Sequence, residues 1–165
     1  MFDPFFLWLE ATAFSTWMRE STSVFAFPII LALHTIGLAI LVGLTAAFDL
    51  RLLGVAARIP LGEFRRYIPL MWLGLWVNVV TGLALLAAYP TKALTNPVFY
   101  LKLGLVGAAL WLLRVLLDGV RDGATVTLPP TRSKRLAIAS LVFWVGAITA
   151  GRLLAYTHSR LLASW

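Results

Sequence analysis

The stretch LALHTIGLAILVGL at 31–44 places one histidine, His34, among apolar residues. Ionisable side chains inside a bilayer are costly, and they usually face the interior of a bundle or a cavity. Further polar candidates lie in or beside other apolar segments, namely Asn78, Thr81, Thr149, Arg152 and His158. Because imidazole is a common metal ligand and changes its charge near neutral pH, the two histidines are the first candidates for chemistry.

The composition is that of an integral membrane protein. Of the 165 residues, 61% are hydrophobic and 13% are charged, and the mean hydropathy is +0.89, whereas soluble domains are about half apolar and about a quarter charged. No residues remain for a separate soluble domain, so we expect one membrane domain over 1–165. The chain has no cysteine, which excludes disulfides, thiolate metal sites and thiol catalysis.

Four apolar segments reach the roughly 20 residues that a membrane-spanning helix needs. They lie at 24–48, 67–89, 98–117 and 136–157. Since the connections are short, the predicted fold is an all-α, antiparallel four-helix bundle. Residues 1–22 begin with Asp3-Pro4, a helix-start signal, and carry an apolar stripe that predicts an interfacial helix. The alternative is that this segment simply packs on the bundle.

Basic residues fall into two clusters, in the loop 49–66 and in the segment 114–135. These clusters contain nine of the fourteen basic residues, namely Arg51, Arg58, Arg65, Arg66, Arg114, Arg121, Arg132, Lys134 and Arg135. The positive-inside rule places both clusters in the cytoplasm and both termini on the outer, periplasmic side. The net charge of +7 therefore indicates contact with the lipid bilayer and not with nucleic acid.

Depth estimates bring the polar residues of the first and fourth spans to one level. At about 1.5 Å per residue, His34 lies about 10 Å and Arg152 about 8 Å below the outer boundary, with His158 at the boundary. Asn78 lies near the midplane. A haem could be ligated by His34 alone, by His34 with His158, or by two copies of His34 in an oligomer. The alternative is a neutral His34 that donates to a backbone carbonyl or to Asn78.

Small residues accompany these groups and have two interpretations. Gly37 shares a helix face with His34, and Gly151 belongs to a row of small residues on the last span. Such positions leave room for a flat macrocycle, whose propionate Arg152 would pair, or they let helices approach closely. On the third span Gly104, Gly107 and Ala108 form a surface that would suit another membrane protein.

Other residues are expected to have structural roles. Asp49 and Arg51, at the end of the first span, predict an ion pair. Lys102 is expected to extend toward the near membrane surface. Trp76, Trp111 and Trp144 are expected to pack the bundle or flank a ligand.

The stretch HTIGLAILVGLTAAFDLRLLG at 34–54 resembles the first helix of small, uncharacterised bacterial four-helix membrane proteins. More distantly it is similar to four-helix b-type cytochromes and to membrane proteins of the copper-resistance D type. The resemblance is carried by His34, Gly37, Gly43 and the motif Asp-Leu-Arg-Leu-Leu-Gly at 49–54. It implies a four-span bundle in a bacterial inner membrane in which His34 ligates haem or another metal.

The sequence therefore predicts a membrane protein that binds b-type haem in the outer leaflet, for electron transfer or redox sensing. His34 would be the axial ligand, with His158 a second ligand, Arg152 a propionate partner, and Asn78, Gly37 and Gly151 lining the site. The alternative is a cofactor-free accessory subunit of a homo-oligomer or a larger membrane complex. No HExxH, GxSxG or phosphate-binding glycine loop occurs, so conventional enzyme chemistry is not indicated.

Overall fold

The computed structural model describes residues 3–121, 125–126 and 128–162. Its long helices are α3 (Phe27–Leu53), α4 (Ile68–Ala88), α6 (Pro97–Asp118) and α7 (Pro130–Leu162). Its shorter elements are α1 (Asp3–Glu10), α2 (Ala13–Glu20), a 3-10 helix (Leu61–Tyr67), α5 (Pro90–Leu94) and the paired strands β1 (Val120–Arg121) and β2 (Thr125–Val126).

Four helices, α3, α4, α6 and α7, are long and apolar enough to cross a membrane. Each predicted span falls on one of them, although the helices α3 and α7 extend beyond the predicted limits. For example, α7 begins at Pro130, before the expected start at 136. The extra residues 130–135 are mostly polar or basic, so hydropathy could not mark them as helical.

Large apolar side chains cover the outside of these helices. Trp76 is 60% exposed and Trp111 is 64% exposed, as are many aliphatic residues between them and the helix ends. These two tryptophans do not pack the bundle interior, so for them only the alternative of flanking a ligand stays a prediction, whereas Trp144 is buried with 1% exposure. An apolar outer surface of this extent is unusual for a soluble protein and suits contact with lipid.

Local sequence signals explain where the helices begin and end. Asn96 caps α6 by accepting a hydrogen bond from the Val98 amide at 2.9 Å, and Pro97 occupies the first turn, where no amide donor is needed. Helix α3 ends at Gly54, whose φ of 104° is the left-handed conformation that glycine adopts without strain.

Helices α3 and α4 form a close pair along most of their length. His34 contacts Thr81, and Gly37 contacts Gly74. Before the start of α4, the ring of Phe64 packs edge-on against Phe48 with centroids 5.5 Å apart. Helix α3 also packs on α7, and α7 packs on α6. Helices α4 and α6 are separated by a cavity instead.

Two ends of the structure can be distinguished. The α5 end is the one where α3 begins, α4 ends and α6 begins, next to the short helix α5. The hairpin end contains the 3-10 helix and the β1–β2 pair. The buried hydrophobic core lies toward the hairpin end, where its members are Leu41, Phe48, Phe64, Met71, Ala109, Leu113, Leu116, Val120 and Trp144. The α5 end instead contains the polar side chains considered below.

The segment predicted as one interfacial helix over 1–22 forms two helices, α1 and α2. Thr12 separates them, because its hydroxyl donates to the Leu9 carbonyl at 2.7 Å and accepts from the Ser15 amide. Helix α2 packs on α4 through Ser15 and Met18, which are buried. The outward residues of both helices are largely aromatic and apolar.

Arg19 attaches these two helices to the end of α4. Its guanidinium donates to the Ala88 carbonyl at 3.1 Å, to the Glu10 carbonyl at 2.7 Å and to the Ser15 hydroxyl at 2.9 Å. Ala88 is the last residue of α4, so its carbonyl has no acceptor role within the helix and carries part of the negative end of the helix dipole.

We expect Arg19→Gln to lower the free energy of unfolding by about 1–3 kcal/mol, because hydrogen bonds from a charged donor to two backbone carbonyls are lost. Thermal unfolding of the purified protein in detergent measures this change. Hydrogen exchange should be accelerated in α1 and α2 but not in α7. Arg58→Gln is the control, since Arg58 is exposed in the loop 54–60. Equal exchange in the two variants would contradict the role of Arg19.

Candidate functional site

His34 lies on the second turn of α3, half-buried against α4 at the α5 end. Its Nδ1 atom is 3.0 Å from the Thr81 hydroxyl. On the same helix Gly82 leaves space for the ring, because a Cβ atom there would lie 3.2 Å from His34 Cε1. The imidazole therefore packs against both Thr81 and Gly82.

The hydrogen bonds of Thr81 determine which ring nitrogen carries the proton. The Thr81 hydroxyl oxygen is 2.6 Å from the Val77 carbonyl, which can only accept, so the hydroxyl proton points to that carbonyl. The same oxygen must then accept from His34, and Nδ1 is the protonated nitrogen. In this neutral tautomer the lone pair of Nε2 is available to a ligand.

Nε2 has no hydrogen-bond partner among the side chains that the structure describes. An imidazole that donates from one nitrogen to a fixed acceptor, with the other nitrogen unpaired, has the arrangement typical of histidine metal ligands. The same arrangement also suits a proton acceptor. The site is therefore a single oriented imidazole at the α5 end.

The side chain of Asn78 binds the backbone of α3. Its amide nitrogen donates to the backbone carbonyl of His34 at 2.8 Å. That carbonyl lies in the first part of α3. Because Asn78 precedes Thr81 by three residues, the bond connects α3 to α4 about one turn away from the contact with Thr81. The alternative in which His34 donates to a backbone carbonyl or to Asn78 is met in part, since the ring contacts the Thr81 hydroxyl and also interacts with the backbone of Asn78.

Lys102, on the second turn of α6, carries a positive charge at the α5 end, where His34 lies. Its ammonium group lies close enough to interact electrostatically with the His34 ring. The aliphatic part of Lys102 passes Gly151 of α7, where a Cβ atom would lie 3.6 Å from Cε and 3.8 Å from Nζ. Lys102 thus turns inward, contrary to the expectation that it extends to the membrane surface, and no ion-pair partner for it occurs in the described part of the chain.

The other predicted site residues are placed differently. Gly37 is buried, and a Cβ atom there would lie 2.9 Å from the Gly74 carbonyl oxygen, so α4 fills the space expected for a macrocycle. Arg152 is exposed, and its guanidinium carbon lies 5.4 Å from the centroid of the Tyr156 ring. His158 belongs to the last turns of α7, but its side chain lies outside what the structure describes. Its pairing with His34 stays a prediction.

A second polar cluster lies between α3 and α7 near the hairpin end. Asp49 is fully buried, and its carboxylate lies near the Ser140 side chain of α7, although within the described residues no hydrogen bond of good geometry forms. Ser140 Oγ and Trp144 Nε1 are buried as well. The predicted ion pair with Arg51 is absent, because Arg51 donates to the carbonyls of Ala57 and Ile59 and closes the loop 54–60.

Sequence reasoning missed the role of Thr81 and the inward course of Lys102. Thr81 carried a signal, because it follows Asn78 by three residues and so shares its helix face. Lys102 had none, since a lysine near a helix end is equally compatible with a surface position. No protein-family model, curated protein or solved structure matches the chain, so the candidate site rests on its own residues.

Proposed function

We propose that the chain is an antiparallel four-helix membrane protein that binds a b-type haem at its α5 end, with His34 as the axial ligand. The observation that supports this proposal most directly is the hydrogen bond from His34 Nδ1 to Thr81. It orients the ring, and Nε2 would be the ligating atom. When bound, the haem iron would supply the uptake and release of one electron.

The donor set fits a haem better than a metal ion held by protein ligands alone. Within the described residues no group of three or more His, Cys, Asp or Glu side chains is gathered in one place. A haem iron takes four nitrogen ligands from its own macrocycle and needs only one or two from the protein. A single oriented histidine is therefore sufficient for haem, whereas zinc or copper would require more ligands.

The remaining residues have roles of position and charge. Thr81 holds the ring orientation, Gly82 provides the space for the imidazole, and Asn78 holds the backbone of His34 against α4. The Lys102 ammonium interacts electrostatically with the imidazole and would pair a propionate, the role expected of Arg152. Gly37 serves the contact between α3 and α4, and Gly151 accommodates Lys102.

The second axial ligand has two sources in this proposal. His158 would approach from the end of α7, or a second copy of the chain would contribute its own His34 in a homo-oligomer. The basic residues at the hairpin end favour a cytoplasmic position for that end. The α5 end and both termini would then face the periplasm across a bacterial inner membrane. The aromatic helices α1 and α2 would lie at this outer interface, and the protein would transfer electrons or sense redox state there.

An absorption spectrum tests the proposal. The protein is purified in detergent from haem-replete cells, without added cofactor, and its spectrum is recorded in oxidised and dithionite-reduced forms. We expect a Soret band and reduced α and β bands in stoichiometric amounts. A folded, colourless preparation that also fails to bind added haem would contradict the proposal.

A cofactor-free accessory subunit is the second candidate, and the surface of α6 favours it. Gly104 and Gly107 are exposed, and a Cβ atom at either position would meet nothing within 4 Å. Small residues on a lipid-facing surface let another helix approach closely. Under this alternative, leucine substitution at both glycines would dissociate a complex, and His34→Ala would change neither the spectrum nor the assembly.

A further inference from the structure

A cavity lies between α4 and α6 in the half of the structure nearer the hairpin end. It has a volume of about 330 Å³, and its lining is almost entirely apolar. Leu41 and Met71, both buried, form its inner wall, while Leu75 and Leu110 line its sides. The cavity exists because α3 and α7 pack on their neighbours while α4 and α6 do not close on one another.

A second cavity, of about 210 Å³, continues the first toward the hairpin end. Trp72, Arg114 and Leu117 line both cavities, so the two form one groove. The second cavity adds Arg65, from the 3-10 helix, and Asp118, from the end of α6. The groove is thus apolar along its length and basic at one end.

The charged residues at this end favour an anionic group. Arg65 and Arg114 are both exposed there, and the only acidic lining residue among those described is Asp118. Arg114 Nε lies 3.4 Å from Asp118 Oδ2, but the two side chains are 72% and 69% exposed. An ion pair this exposed is weak, so an incoming phosphate can compete with Asp118 for the Arg114 guanidinium.

We propose that this groove binds an anionic phospholipid, with an acyl chain between α4 and α6 and the phosphate between Arg65 and Arg114. Guanidinium groups bind phosphate through paired, charge-assisted hydrogen bonds. Basic pockets between membrane helices are suited to anionic headgroups. The exposed rings of Trp72 and Trp111 flank the side of the groove that opens outward.

The lining of the groove favours a lipid over an apolar partner helix. Its walls between α4 and α6 are apolar, and Arg65 and Arg114 lie at one end. An acyl chain joined to an anionic headgroup complements both parts, whereas an apolar helix would leave the two arginines unpaired. A narrow, flexible hydrocarbon chain fits this space, and its headgroup would reach the arginines.

Native mass spectrometry of the delipidated protein in detergent tests the proposal. The protein is titrated with phosphatidylglycerol and, separately, with phosphatidylcholine of the same acyl chains. We expect phosphatidylglycerol to bind more tightly, with each arginine contributing a factor of about five. Arg65→Gln combined with Arg114→Gln should remove the preference, and Asp118→Asn should increase it.

Matched variants separate a groove site from general surface charge. Arg132→Gln combined with Arg135→Gln removes two exposed arginines of α7 that do not line the groove, and it should leave the preference unchanged. Leu110→Trp should fill the groove and weaken binding of phosphatidylglycerol. Leu103→Trp, at a 51% exposed position outside the groove, should not. Each variant is first shown to keep the wild-type melting temperature.

Three results would overturn the proposal. The first is equal binding of the two lipids, and the second is a preference that survives loss of both groove arginines. The third is unchanged binding in Leu110→Trp, which would show that the acyl chain lies elsewhere.

Discussion

His34→Ala should abolish the Soret band of the purified protein while the four-helix structure persists. The variant removes the imidazole that is proposed to ligate the haem, together with its hydrogen bond to Thr81. The half-buried ring makes no core contact at the hairpin end, where the hydrophobic core lies. We therefore expect haem content to fall to background and helical content by circular dichroism to stay at the wild-type level.

Thr81→Val sharpens the same test, because it keeps the imidazole and the shape of residue 81. It removes the acceptor for Nδ1, so the ring loses its fixed orientation and tautomer. Loss of such a partner typically weakens a metal site by about 10–100-fold. The measurement is the rate and extent of haem transfer to an apo-haem acceptor protein. Unchanged retention in Thr81→Val would show that the hydrogen bond does not prepare a ligand.

Two controls make the result specific to His34. Thr35→Ala changes the adjacent, exposed residue of α3, whose hydroxyl donates only to the Leu31 carbonyl at 2.9 Å, and it should leave the spectrum intact. His158→Ala tests the second ligand. A loss of the low-spin spectrum with haem retained would identify His158 as that ligand, whereas no change would leave ligation by His34 alone or by two copies of His34 in an oligomer. A Soret band that persists at full strength in His34→Ala would refute the proposed ligation.

The membrane-spanning helices could be predicted from sequence because hydropathy and length are properties of single segments. Which face of each helix points into the bundle could not be assigned in the same way. Trp76 and Trp111 face outward although they lie deep in their spans, since in a membrane protein both faces of a helix are apolar. The sequence pattern therefore lacks the polar face that marks the outside of a soluble helix.

The polar groups show the same limit at the level of the site. His34 and Asn78 could be singled out because polar residues are rare in the spans. Which partner each one contacts depends on the rotation of α3 against α4, and that rotation follows from packing. The positions of Arg152 and Lys102 have the same origin, because Gly151 provides space for a lysine from α6 while Arg152 points outward beside it. The burial of Asp49 also depends on how the helices pack, so it could not be predicted from the sequence.

The contact between Gly37 and Gly74 sets how closely α3 and α4 approach one another beside the candidate site. A Cβ atom at Gly37 would lie 2.9 Å from the Gly74 carbonyl oxygen and 3.0 Å from the Asn78 amide nitrogen. These atoms belong to the backbone of α4 and cannot turn aside as a side chain could. Any side chain at residue 37 must therefore push the two helices apart. His34 lies three residues from this contact, and its bonds to Thr81 and Asn78 span the same gap.

Gly37→Ala should lower the free energy of unfolding by about 1–3 kcal/mol, as expected for overpacking of a close contact. Separation of the helices should also lengthen the His34–Thr81 bond, so haem retention should fall together with stability. Thermal unfolding in detergent and haem transfer measure the two effects on one preparation.

Gly104→Ala supplies the matched control, because the same methyl group is added to a helical glycine with nothing within 4 Å. Removing a glycine from a helix interior stabilises the helix by up to about 1 kcal/mol, so this variant should unfold at the wild-type temperature or above it. The opposite signs separate a packing role from a general effect of glycine on helix stability. If the two variants behave alike, the close approach of α3 and α4 does not hold the site. If Gly37→Ala loses stability but keeps its haem, the site does not depend on that approach.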